Sequence, residues 1–100
     1  SAIHIKTLCE YINLIVKLRP IGIYNLGCRD SISKADYIIT LANLLNLSLS
    51  KVKIGHSSDA KFKAERPLDM TLNTEKVEKK LNIKCPNMKS QIEETAKEYL

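Results

Sequence analysis

Tryptophan is absent from this 100-residue chain, phenylalanine occurs once, and glycine, proline and cysteine occur three times each. Aromatics this few and scattered offer little surface on which nucleic-acid bases could stack. Gly22, Gly27 and Gly55 fall in neither a G-x-G-x-x-G nor a G-x-x-G-x-x-G pattern, so no dinucleotide fingerprint is present. Cys9, Cys28 and Cys85 are odd in number, widely spaced and free of any C-x-x-C pair, so neither a disulfide framework nor a zinc site is indicated. With only His4 and His56 to join them, the three read as reduced structural thiols. No apolar run approaches the roughly 18 residues of a membrane span. His4, Lys6 and Glu10 interrupt the apolar residues near the start, and no small-residue cleavage site follows them. A soluble, cytoplasmic domain with no membrane partner is expected. Methionine is missing from the opening Ser1-Ala2-Ile3, so the amino end reads as that of a processed product or fragment.

Acidic residues are in deficit, 11 against 16 lysines and arginines, which gives a net charge of +5. Such a charge suits polyanion binding, but the cations are interspersed with Glu10, Asp36, Glu65, Glu75, Glu78 and Glu93 rather than gathered into a patch. A mixed-charge surface and no nucleic-acid partner are expected. Hydrophobic residues make up 44% of the chain and charged residues 27%, ordinary proportions for one globular domain spanning residues 1–100.

Local patterns place the elements. Leu8, Ile12, Ile15 and Leu18 recur at helical spacing after Thr7-x-x-Glu10, a potential capping box, and Pro20 should stop that helix by Arg19. The β-branched and aromatic run from Ile21 to Gly27, bounded by turn residues, predicts a buried strand with Tyr24 in the core. Ser33-x-x-Asp36 precedes Ile38, Leu41, Ala42 and Leu45, the signature of a capped amphipathic helix. Lys51-Val52-Lys53-Ile54 alternates as a half-exposed strand would, and residues 55–69 show no period at all, as a ligand loop would. Asn73 or Thr74 can cap a short helix carrying Val77 and Leu81. Asn87 or Ser90 can start a last one, with Ile92, Ala96, Tyr99 and Leu100 on its apolar side.

Taken in order, Gly22-Ile23-Tyr24-Asn25-Leu26-Gly27, Ile32-Ser33-Lys34, Arg66-Pro67-Leu68-Asp69 and Leu72-Asn73-Thr74-Glu75-Lys76-Val77 resemble the carboxy-terminal third of extended short-chain dehydrogenases/reductases. Leu81-Asn82-Ile83-Lys84-Cys85-Pro86 is similar to that family's turn after the short helix, and the resemblance spans nearly the whole chain. Among the branches, dTDP-4-dehydrorhamnose reductases and their sugar-nucleotide-binding relatives look most similar. Thr7 stands where many relatives carry aspartate, and Met88 where an aromatic residue is frequent.

The resemblance implies an α/β fold: a small mixed domain of about four helices and two or three short strands, the C-terminal part of a Rossmann-type enzyme. The amino-terminal Rossmann domain would be absent, and NADPH or NADH would bind there and not to this portion. It also implies a parent oxidoreductase of carbohydrate biosynthesis that reduces the 4-keto group of a deoxysugar nucleotide. None of the catalytic set is present, because Tyr11, Tyr24, Tyr37 and Tyr99 each lack a lysine four residues on. The nucleotide-sugar substrate is the expected partner, and an exposed sheet edge could pair two copies into a homodimer. Arg66 is the leading substrate-binding candidate: by resemblance its guanidinium approaches the diphosphate, and the fork suits two phosphate oxygens. An Arg66–Asp69 loop bond is the structural alternative. Lys61 and Lys63, with Phe62 between them, would add positive potential and an apolar contact, and His56 a polar one. A nucleotide-sugar epimerase or dehydratase of the same family stays open, because the missing half decides the chemistry. So does a non-catalytic interaction module.

Overall fold

The computed structural model describes residues 2–100. Among the described residues four α-helices form, α1 (Ile5–Leu18), α2 (Lys34–Leu44), α3 (Glu75–Leu81) and α4 (Met88–Lys97), with one 3₁₀ turn at Ser57–Asp59. Their ends follow from local hydrogen bonding. Ser33 Oγ accepts from Asp36 N–H at 3.0 Å and donates to Asp36 Oδ2 at 2.7 Å, which caps α2. Asn73 Oδ1 accepts from Glu75 N–H at 3.0 Å at the start of α3. Asn87 Oδ1 accepts from Ser90 N–H at 2.8 Å at the start of α4, where Asp30 Oδ1 adds a 2.7 Å bond from Met88 N–H. Asn82 closes α3 in the left-handed region, with φ 51°. Arg19 closes α1 in the same way just before Pro20, with φ 46°.

Helix α1 begins two residues ahead of Thr7, and the Thr7–Glu10 box is unused. The capping residue is His4, whose N–H donates to Gln91 Oε1 on α4 at 2.8 Å. A long-range partner has taken over the role expected of a local one.

Helix α1 packs on α3, and α2 packs on α4. Val77, Leu81 and Cys85 form one buried cluster, against which Tyr11, Leu14, Ile15, Tyr24, Leu26 and Ile83 lie half-buried. Met88, Ile92 and Ala96, at four-residue spacing on α4, are buried together with Ala42 of α2. Lys6 Nζ reaches Glu98 Oε1 at 3.0 Å and so joins the start of α1 to the end of α4. His4 Nε2 lies 3.4 Å from the same oxygen, yet this buried atom has no hydrogen-bond partner. Ile12 and Leu18, expected on the core side of α1, are exposed, as are Tyr99 and Leu100 beyond α4. No helix among the described residues is long and apolar enough to cross a membrane.

The expected α/β class is corrected. Among the described residues there is no strand, and the Rossmann-type mixed sheet is not formed. A strand needs a ladder partner for its N–H and C=O groups, and the expected strand at Ile21–Gly27 finds none. Gly22 has φ 123°, outside the strand region and accessible in practice only to glycine. Tyr24 Oη folds back to donate to Ile21 O at 2.9 Å, and Lys76 Nζ donates to Ile23 O at 2.9 Å. Ile21 and Ile23 are consequently 95% and 86% exposed, while Tyr24 is half-buried with Lys76 Nζ 4.8 Å from its ring centroid. Residues 51–54, the second expected strand, are all exposed. The molecule is a slab of 47 × 37 × 17 Å with a radius of gyration of 16.2 Å, against roughly 13 Å for a compact chain of this length.

Candidate functional site

The first turn of α2 forms one wall of an open cleft. Residues 31–36 face 55–57 and 66–71 across an open space of about 980 Å³. The irregular segment expected to carry a ligand loop thus folds back on the helix start that Ser33 and Asp36 fix.

Arg66 and His56 both line this cleft, whereas Lys63 does not; Lys63 sits in the exposed loop and is not brought to the site. Phe62 lines the cleft too, and its ring lies 4.3 Å from the Arg66 guanidinium carbon. This cation–π contact holds the guanidinium without consuming its N–H donors. The Arg66–Asp69 bond is not formed. Asp69 Oδ1 accepts instead from Thr71 N–H at 2.9 Å and from Thr71 Oγ1 at 2.5 Å, and these two bonds hold the carboxyl below its usual range. Among the described residues Arg66 has no ion pair. Asp36 is likewise engaged, by Ser33. The two carboxylates at the cleft are occupied locally, and the two cations there, Lys34 and Arg66, are not neutralised by them.

Lys34 escaped the sequence reading as a site residue. Its only signal was its place at the first position of a capped helix, and nothing in the chain order shows that the distant 55–71 loop returns to it. A second, smaller hollow of about 390 Å³ adjoins the same turn, lined by Ala2, Tyr37, Ile38 and Met88 as well as residues 32–34.

Of the cysteines, Cys28 and Cys85 are buried as expected of structural thiols, whereas Cys9 is exposed on α1. Burial, and then the Asp30 carboxylate, push the Cys28 thiol up to about 11. Burial and then Glu78 push Cys85 in the same direction. Among the described residues no group of three or more histidine, cysteine or acidic side chains gathers in a way that could hold a metal ion. No protein-family model, curated protein or solved structure matches this chain.

Proposed function

We propose that this chain is the substrate-binding portion of a nucleotide-sugar reductase, and that its cleft takes the diphosphate of the substrate. In the parent enzyme a hydride would pass from NADPH or NADH to a 4-keto sugar, with the cofactor and the catalytic side chains supplied by sequence outside this portion. One observation carries the proposal: Arg66 projects an uncompensated guanidinium, seated on Phe62, into an open cleft whose own carboxylates are already hydrogen-bonded. A planar fork with five free donors binds two phosphate oxygens at once, and Lys34 adds a second positive charge. The resemblance of Arg66-Pro67-Leu68-Asp69 to the reductase motif supplies the substrate class.

Titration of the isotope-labelled chain with dTDP, followed by NMR, tests this directly. Resonances of residues 31–36 and 66–71 should shift, and Arg66→Ala should weaken binding by roughly 1.5–3 kcal/mol, about 10- to 100-fold. Shifts confined to other surfaces, or an affinity indifferent to Arg66→Ala, would refute the proposal. The exposed apolar side chains Ile5, Ile12 and Val16 of α1 favour a second reading, a non-catalytic interaction module. Sedimentation over a concentration series separates the two, since an interaction module of this kind should self-associate without any response to dTDP.

A further inference from the structure

The small hollow beside the cleft differs from it in chemistry. It encloses about 390 Å³ and shares Ile32, Ser33 and Lys34 with the cleft, so the first turn of α2 is a common wall between the two spaces. Beyond that wall the hollow is lined by Tyr37 and Ile38 of α2 and by Met88 at the start of α4, an aromatic ring and two apolar side chains. Few polar groups reach it. Ser33 Oγ is taken up by Asp36, and the Lys34 ammonium, which has no ion pair among the described residues, stands on the shared wall. The cleft side is the more polar of the two, with Ser31, His56 and Ser57 beside Arg66. The two spaces together suit a ligand that is apolar and flat at one end, anionic in the middle and hydroxyl-rich at the other.

We propose that this hollow is the nucleobase subsite of the ligand whose diphosphate lies in the cleft, an inference that rests on the reading of the cleft as a diphosphate site. The ribose then passes the Ser33–Lys34 wall, and the hexose extends along the cleft away from the hollow. A base is a plate with two apolar faces; it gains by leaving water for an apolar wall and by stacking on the Tyr37 ring. The thioether of Met88 adds a polarizable contact to the base. A hexose in the same place would strip its hydroxyls of water and leave most of them unpaired, which disfavours it there. On the cleft side the same hydroxyls meet Ser31, His56 and Ser57. The polarity of the two linings thus sets the direction in which the nucleotide sugar lies.

The test compares dTDP with methyl diphosphate, which keeps the anionic group and lacks the base, in NMR titrations of the isotope-labelled chain. Methyl diphosphate should shift residues 31–36 and 66–71 alone. dTDP should in addition shift Tyr37, Ile38 and the Met88 methyl, and should bind about 5- to 100-fold more tightly, the range expected for one stacked base. Tyr37→Ala should remove most of that advantage while the affinity for methyl diphosphate stays unchanged, which also shows the cleft to be intact. Ile38→Gln, at a position 51% exposed and so tolerant of substitution, should give the same pattern in weaker form and serves if Tyr37→Ala does not fold. Equal affinity for the two ligands, dTDP shifts that stop short of Tyr37 and Met88, or an advantage indifferent to the substitutions would overturn the base subsite and leave the cleft reading standing. If neither ligand shifts residues 66–71, the cleft reading fails and the base subsite falls with it.

Discussion

Replacing both Ile21 and Ile23 by serine separates the helical architecture from one in which residues 21–27 form a buried strand. In the fold described here these side chains are 95% and 86% exposed, so almost no apolar area returns to water on unfolding. Surface substitutions of this kind change stability by about 0.5 kcal/mol or less each. In a buried strand, each isoleucine would contribute about 1.5–3 kcal/mol. Ile92→Ala provides the internal scale, because Ile92 is 0% exposed and its truncation leaves a cavity in the α4 face. That variant should lose about 3 kcal/mol, a large share of the roughly 5–15 kcal/mol that holds a domain together, and its Tm should fall by roughly 12–24 °C. Urea denaturation followed by far-ultraviolet circular dichroism measures all three chains under one set of conditions. A double serine variant that loses more than about 2 kcal/mol would show Ile21 and Ile23 to be buried and would refute the helical account of this segment.

Arg19→Gly should stabilise the chain by about 1 kcal/mol, because Arg19 occupies the left-handed region at φ 46° where a Cβ is strained; thermal denaturation reads the gain. Asp30→Ala removes the acceptor for Met88 N–H and should cost about 1 kcal/mol, again as a fall in Tm. The hydrogen bond from Lys6, above all, holds the Glu98 carboxyl below its usual range. A carboxyl lowered by folding stabilises above its unfolded pKa, and that contribution disappears as pH falls through the folded value. Stability measured downward from neutral pH through the glutamate range, near about 4.3, should therefore drop less steeply in Lys6→Met than in the parent chain.

Much of the helical layout was legible because helix ends are chosen by residues only three or four positions apart. Ser33 and Asp36 announced α2, Asn87 announced α4, and Pro20 ended α1 where its ring forbids continuation. Thr7 misled because the competing cap at His4 depends on Gln91, which is 87 positions away. Ile21-Gly22-Ile23 misled for another reason. A short β-branched run is strand-like in composition, but strand formation is a property of two segments, and only the positive φ of Gly22 and the bond from Lys76 decide the outcome. At the cleft, Arg66 and His56 were legible as polar residues in an aperiodic segment. The exclusion of Lys63 and the inclusion of Lys34 depend on how that segment turns back onto α2, which chain order does not reveal.

The pairing of α1 with α3 and α2 with α4 is interleaved, so neither half of the chain contains a complete helix pair. Synthesis proceeds from the amino end, and both early helices emerge before either partner exists. Residues 45–74 must be added first, which takes about 1.5–6 s at ordinary translation rates. During that interval Tyr11, Leu14, Ile15 and Ala42 have nothing to pack against. A ribosome stalled before Glu75 would therefore carry this portion with neither helix pair complete, open to proteases and to holding chaperones.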